Sequence, residues 1–137
     1  MKIILLFLIL SLLCINSSFA DDYVIVSNKN MKELSLSQVK AIFLKKLTFV
    51  SDVKVVPINL GLRDELRLKF EKKVLRMNFS RLKTYWTTQH YLGHRPPVSM
   101  KSQESIKAFV KKVDGSIGYI QAVYVDDDLK IIYKWSD

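Results

Sequence analysis

The stretch Val55–Met77, VVPINLGLRDELRLKFEKKVLRM, sets the expected fold of this chain. It predicts a strand over Lys54–Asn59, a short turn containing Gly61, and an amphipathic helix over Arg63–Met77. The basic residues of this helix, Arg67 among them, are expected to form a solvated stripe outside its apolar face. The turn places the N-terminus of the helix beside the C-terminal end of the strand. Free N–H groups and the positive end of the helix dipole meet there, so this arrangement is a candidate anion site.

Working outward, strands and helices alternate along the rest of the chain, which predicts one α/β domain. Ser35 and Gln38 form a capping box that starts a helix ending near Phe43, with Leu34 and Val39 as its hydrophobic staple. Asn78 is expected to stop the Arg63–Met77 helix. The other predicted elements are a strand at Tyr23–Ser27, a turn at Ser51–Asp52, a helix at Arg81–Leu92 capped by Ser80 and ended by Gly93, a strand at Val98–Met100, a helix capped by Ser102, a strand at Ser116–Ile120, and two strands around a solvated turn at Asp126–Asp128. Gly118 in the Ser116–Ile120 strand is expected to mark a close approach of another element.

Residues 1–20, MKIILLFLILSLLCINSSFA, have the layout of a secretory signal peptide cleaved after Ala20. Lys2 supplies the positive start, and an apolar run leads to the small-residue end at Ser18-Phe19-Ala20. A membrane anchor is the alternative, but the apolar run is shorter than the roughly 20 residues that a spanning helix needs. Cys14 follows Leu13, where a lipid-attachment signal requires a small residue. We therefore predict a periplasmic protein without a stable membrane anchor.

Cleavage would leave 117 of the 137 residues and remove the only cysteine, Cys14. The mature chain would then have no disulfide, no thiolate nucleophile and no cysteine metal site. Loss of Lys2 reduces the 22 basic residues to 21 against 13 acidic ones, a net charge of +8. Such a charge favours anionic partners such as a small anion, an anionic lipid or an acidic protein. A nucleic acid is not predicted, because the chain is exported and lacks a recognisable binding motif.

The sequence offers few residues suited to metal binding or catalysis. His90 and His94 are four residues apart, but Gly93 interrupts the helix and no third ligand is near, so we predict no metal site and no cofactor. An aromatic cluster at helical spacing is usually core, so Tyr85, Trp86 and Tyr91 are expected to be buried, with Trp86 facing Phe70 across two helices. No nucleophile elbow, Cys–His pair or nucleotide loop occurs. The chain is predicted not to be an enzyme.

Five segments in fixed order resemble the phosphate-type solute-binding proteins of ABC importers. They are LSLSQVKAIFLKKLTFV, VVPINL, RLKFEKKVL, YWTTQHYLGHRPP and the capped helix running into DGSIGYI. The most telling residues are Ile42-Phe43, Phe70, Tyr85-Trp86, Gly93 with Pro96-Pro97, and Gly115–Tyr119. The resemblance implies an α/β fold in which a mixed sheet is flanked by helices in three layers, as in one lobe of a type 2 periplasmic binding protein. Proven phosphate binders of this family have two lobes, whereas this chain has room for about one.

The same resemblance implies a degenerate phosphate site. In the family an Arg, an acidic residue and a Ser-Gly-Thr precede the helix whose Phe aligns with Phe70. With that alignment, the Ser-Gly-Thr falls on Asp64-Glu65-Leu66 and the Arg falls on Leu60. Asp64 and Glu65 are then expected to satisfy the helix N-terminus themselves.

Two functions remain open from the sequence. The first is a reduced solute-binding protein that holds a small anion weakly, with two lobes paired in a homodimer and with Ser27, Asn28, Arg63 and Arg95 as contacts. The second is an interaction protein that uses the binding lobe to dock another component of the cell envelope. The missing lobe, the lost phosphate motif and the basic surface favour the second. The resemblance nevertheless leads us to predict a periplasmic solute-binding-like protein with a degenerate phosphate site, and docking is the alternative.

Overall fold

The computed structural model describes residues 22–136, so the predicted signal peptide lies outside the described residues. Seven strands, four α-helices and two short helical turns follow one another over this part of the chain. In chain order they are β1 (Asp22–Asn28), α1 (Leu36–Phe43), β2 (Phe49–Val50), β3 (Val53–Lys54), β4 (Val56–Leu60), α2 (Glu65–Phe70) continued by a π-helical turn (Glu71–Leu75), α3 (Phe79–Tyr91), β5 (Val98–Met100), α4 (Gln103–Lys112), β6 (Ser116–Gln121), a 3-10 turn (Ala122–Tyr124) and β7 (Leu129–Ser136).

Five of the strands form one mixed sheet in the order β5-β4-β6-β1-β7. Strands β5, β4 and β6 are parallel, whereas β1 is antiparallel to both β6 and β7. The carboxyl ends of β4, β5 and β6 therefore meet at one edge of the sheet, and β1 begins at that edge. Strands β2 and β3 form a separate hairpin, and its turn is at Ser51 and Asp52, which both have positive φ. The predicted turn is confirmed.

Helices cover both faces of the sheet. On one face the ring of Tyr119 stacks on Phe70 at 4.1 Å between centroids, and Phe43 packs edge-on against Phe70 at 4.7 Å. Neighbouring residues of a strand point to opposite faces, so Gly118 faces α4 on the other side. A Cβ atom at Gly118 would lie 2.5 Å from Cγ2 of Ile106. The predicted close approach at this glycine and the three-layer α/β fold are confirmed.

The helix ends follow the local rules of the sequence, with two exceptions. The capping box of α1 is present, with the Gln38 N–H donating to Ser35 Oγ at 3.2 Å and the Ser35 N–H donating to Gln38 Oε1 at 2.9 Å. Ser80 does not cap α3, because Asn78 does so through its Oδ1, which accepts from the Arg81 N–H at 2.9 Å. The predicted helix at Arg63–Met77 begins later, at Glu65, and widens into a π-turn before Arg76 adopts a left-handed conformation.

Three other expectations were wrong. Tyr91 is 85% exposed, whereas Tyr85 and Trp86 are half-buried and pack against the core. Leu82 is the one buried residue of α3. The predicted strand before the Asp126–Asp128 turn is a 3-10 turn instead. Asp126 is not simply solvated, since Lys111 and Lys107 both form ion pairs with its carboxylate. These two ammonium groups hold the pKa of Asp126 well below its usual range.

Candidate functional site

The turn between β4 and α2 lies at the sheet edge where the parallel strands end. Asp64 caps α2, and its Oδ1 accepts a hydrogen bond from the Leu66 N–H at 2.8 Å. The side chain of Arg63 is exposed beside it. The Asp64 carboxylate therefore accepts from an N–H group that would otherwise be available to an external anion. The sequence predicts this role for Asp64.

Arg67 ties the first turns of α2 to the end of β4. It is 8% exposed, and its Nη1 donates to the Leu60 carbonyl at 2.8 Å and lies 3.5 Å from Ser99 Oγ. Its Nε lies 3.6 Å from Oε2 of Glu71. Burial raises the pKa of Glu71, and the charge of Arg67 acts against that rise.

Sequence reasoning assigned Arg67 to a solvated basic stripe, which is wrong. The signal that could have identified it is its spacing from the core residues of the same helix. Arg67, Phe70 and Val74 are separated by three and four residues, so they lie on one face, and all three are buried. A long side chain at such a position extends along the core to reach a polar partner at its edge.

Tyr119 contacts the last two residues of β4, Asn59 and Leu60. Its hydroxyl donates to Asn59 Oδ1 at 2.8 Å and accepts from the Leu60 N–H at 3.0 Å. Burial raises the pKa of Tyr119 far above its ordinary value, because the phenolate would be desolvated. Tyr119 therefore stays protonated and acts as a structural hydrogen-bonding group. Arg67 thus donates to the Leu60 carbonyl, and the Tyr119 hydroxyl accepts from the Leu60 N–H. Both backbone groups of Leu60 are engaged, so its N–H is not available to a ligand.

An open cleft of about 300 Å³ lies beside this strand end. Its polar side chains already bind one another: Gln103 Nε2 donates to Gln121 Oε1 at 3.2 Å, and Lys69 Nζ donates to the Tyr23 hydroxyl at 2.7 Å. The Gln121 N–H donates back to Gln103 Oε1 at 2.7 Å. The charged residues that line the cleft are Asp64, Glu65 and Lys69, so two carboxylates face one ammonium group.

The structure does not bring the four predicted contact residues together. Ser27 is fully buried and its hydroxyl donates to the Ser116 carbonyl at 2.6 Å, while Asn28 Nδ2 donates to the Val113 carbonyl at 3.0 Å. Both lie at the end of β1, which is the opposite end of the sheet from Arg63 because β1 runs antiparallel to β6. Arg95 is exposed in the loop that precedes β5.

The two histidines are exposed, and His94 Nδ1 lies 2.7 Å from Gln89 Oε1. Within residues 22–136 no group of three His, Cys, Asp or Glu side chains is placed to hold a metal ion. In the same part of the chain no helix is long and apolar enough to cross a membrane.

Comparison with known proteins identifies the fold. No protein-family model and no curated protein matches the chain. Among solved structures, the chain is similar to an ABC-type phosphate transport receptor from Vibrio cholerae, with 18% identity and a TM-score of 0.64 over 82% of this chain and 45% of that one. It is also similar to a putative phosphate ABC transporter substrate-binding protein with bound phosphate from Clostridium perfringens, with 22% identity and a TM-score of 0.65 over 82% of this chain and 44% of that one.

The chain thus spans less than half the length of each of these proteins. At these identities the likeness shows the fold alone. It confirms the predicted resemblance to one lobe of a phosphate-type binding protein and the predicted fold class. Neither of the two neighbours is described as an enzyme.

Proposed function

We propose that this chain is an exported, non-enzymatic protein of the substrate-binding type in which the phosphate site is degenerate. The fold likeness to phosphate-binding proteins supports the relationship. The observation that carries the loss of the site is the Asp64 cap, because the carboxylate accepts from the Leu66 amide at 2.8 Å. An anion held at the Leu66 amide would first have to displace that carboxylate.

The surroundings support the same conclusion. A desolvated dianion needs several donors around it, since an ion without such partners is strongly destabilised away from water. Here Leu60 has both backbone groups engaged, and Glu65 adds a second negative charge to the cleft. We expect at most weak anion binding. The four predicted contact residues are too dispersed to form one site: Ser27, Asn28, Arg63 and Arg95. Weak anion binding would therefore involve the exposed side chains of Arg63 or Arg95. It could take place in a monomer or in a homodimer of lobes.

Calorimetric titration with inorganic phosphate at low salt tests this proposal. We expect no signal or a dissociation constant in the millimolar range, which corresponds to about −4 kcal/mol. The variant D64S/E65G, which restores a hydroxyl and a glycine at the aligned positions, should bind phosphate more tightly than the parent. The variant E33S/D127S removes the same charge at two exposed positions away from the turn and should leave binding unchanged. Micromolar or tighter binding by the parent chain would contradict the proposal.

Export is the second part of the proposal. We expect cleavage after Ala20 and release of the mature chain into the periplasm. N-terminal sequencing of the exported protein should then begin at Asp21. Recovery of a chain that retains Met1 in the membrane fraction would show instead that residues 1–20 act as an anchor.

Docking to another envelope protein is the second candidate function, and one observation favours it specifically. Large apolar side chains are exposed on and beside α3, including Phe79 at 65% and Leu68 at 49%. Exposed apolar groups of this size that cluster together mark interaction surfaces more often than isolated ones do. In this role the lobe would serve as a rigid support for a contact surface rather than as a container for a solute.

A further inference from the structure

An open groove lies between α1 and α3, and it shares no lining residue with the cleft at the strand end. It has a volume of about 650 Å³, and Lys40, Lys46 and Arg81 are the charged residues among those that line it. Leu44, Met77 and Tyr85 give it an apolar component. We call this surface the basic groove.

The cations of the basic groove have no ion-pair partner among the residues that the structure describes. Within residues 22–136, none of Lys40, Lys46 and Arg81 takes part in an ion pair. Lys46 Nζ lies 5.7 Å from the centroid of the Tyr85 ring, and the Tyr85 hydroxyl donates to the Leu44 carbonyl at 2.5 Å. Tyr85 is therefore held in place, and Lys46 lies over its ring at the wall of the groove.

A second depression, of about 470 Å³, adjoins the basic groove. The two share Met77 and Asn78 in their linings, so they form one continuous surface around the start of α3. The second depression carries the exposed side chains of Leu68 and Phe79, together with Lys72 and Arg76. Its single acidic lining residue is Glu71, which already pairs with Arg67.

We propose that this surface docks an acidic segment of a partner protein that also presents apolar side chains. The proposal rests on the docking role put forward above and identifies its surface and the chemistry of its partner. The partner segment is expected to be acidic, because five cationic side chains line the two depressions and their one carboxylate is already paired. The exposed Phe79 and Leu68 select the apolar groups, because burying each would add the hydrophobic contribution that charge pairing at a surface does not supply. A single small anion would leave these apolar side chains in water.

The probe for this proposal is a fluorescein-labelled synthetic peptide in which Glu and Asp flank Leu and Phe at helical spacing. Binding is followed by fluorescence anisotropy at low salt and again at physiological salt, where surface charges are more strongly screened. We expect saturable binding by the parent chain. The variant K46E/R81E should weaken it about tenfold or more, because each reversal replaces an attraction by a repulsion. Phe79→Ser should weaken it several-fold through loss of apolar contact.

The matched control is K29E/K101E, which makes the same change of net charge at two exposed lysines outside the groove. It should bind within about twofold of the parent. Equal weakening by both double variants would show that only the overall charge attracts the peptide, and this would overturn the proposal. Absence of binding by the parent would overturn it too.

Two further probes decide the class of partner. A peptide with the same acidic residues but with Ser in place of Leu and Phe should bind less tightly, and equal affinity would contradict the apolar part of the proposal. Vesicles of phosphatidylglycerol and phosphatidylcholine should not compete with the peptide. Preferential, groove-dependent vesicle binding would assign the surface to a membrane instead. The phosphate titration of D64S/E65G does not involve the groove, so a failure there is separable from a failure here.

Discussion

Replacement of Arg67 by Met should destabilise the protein strongly. Arg67 and Glu71 have side chains that are 10% and 14% exposed, with Nε and Oε2 3.6 Å apart. Arg67 also satisfies the carbonyl of Leu60 at the end of β4. Met has a similar length and a high helix propensity, so R67M removes the charge and the donors while leaving the shape of the core nearly unchanged.

The loss of unfolding free energy in R67M can be estimated from the groups that lose their partner, the Glu71 carboxylate and the Leu60 carbonyl. Removing one partner of a buried ion pair typically costs about 3–5 kcal/mol, because the other charge remains desolvated. The unsatisfied Leu60 carbonyl falls within that figure and accounts for about 1–3 kcal/mol of it. The double variant R67M/E71M should recover most of the stability, since no buried charge remains. We expect it to be destabilised by about 1–3 kcal/mol, which is the share of the carbonyl.

The loss in R67M should also depend on pH. Burial raises the pKa of Glu71 in the folded protein, and in R67M the opposing charge is absent. A carboxyl whose folded pKa lies above its unfolded value favours folding fully only below the unfolded value, and this contribution is lost as the pH rises through the folded pKa. R67M should therefore be less destabilised relative to the parent at about pH 5 than at pH 7, as Glu71 becomes protonated.

Urea unfolding of the parent, R67M and R67M/E71M at these two pH values provides the measurement. The difference in free energy of unfolding is compared at each pH, with the m-values checked for a common unfolded state. A penalty for R67M below about 1 kcal/mol would refute the buried pair. Equal penalties for the single and double variants, or a penalty for R67M that does not change with pH, would show that Glu71 is not left as an uncompensated charge.

Two further predictions concern the core. Gly118→Val should destabilise the protein by about 2 kcal/mol or more in the same assay, because its Cβ would lie 2.5 Å from Ile106 Cγ2; a value within error of the parent would mean that α4 moves freely on the sheet. Phe70→Ala should cost about 3–5 kcal/mol, whereas Trp86→Ala should cost clearly less, because Trp86 is half-buried; equal losses would contradict the observed exposure of α3.

Local rules explain why much of the fold was predictable. The apolar run of β1 and the capping box of Ser35 and Gln38 each act over a few residues, and the structure keeps both. Burial of α3 could not be predicted in the same way. The apolar spacing of Tyr85 and Trp86 indicates a face, but whether another element covers that face depends on the packing of the whole chain. In this structure α3 lies at the surface, and Tyr91 is exposed.

The candidate site failed to follow from sequence for a topological reason. Ser27 lies at the end of β1 and Arg63 follows β4, so each stands near the carboxyl end of a strand, where the α/β fold class places ligand contacts. Strand direction decides otherwise: β1 is antiparallel to β6, and β6 is parallel to β4. The residues after β1 and β4 therefore lie at opposite ends of the sheet. The residues that do meet beside Leu60 are Arg67 and Tyr119, which come from a helix and a distant strand. Because their polar groups bind the backbone of Leu60 and the side chains of Asn59 and Ser99, they stabilise this end of the sheet rather than offering donors to a ligand.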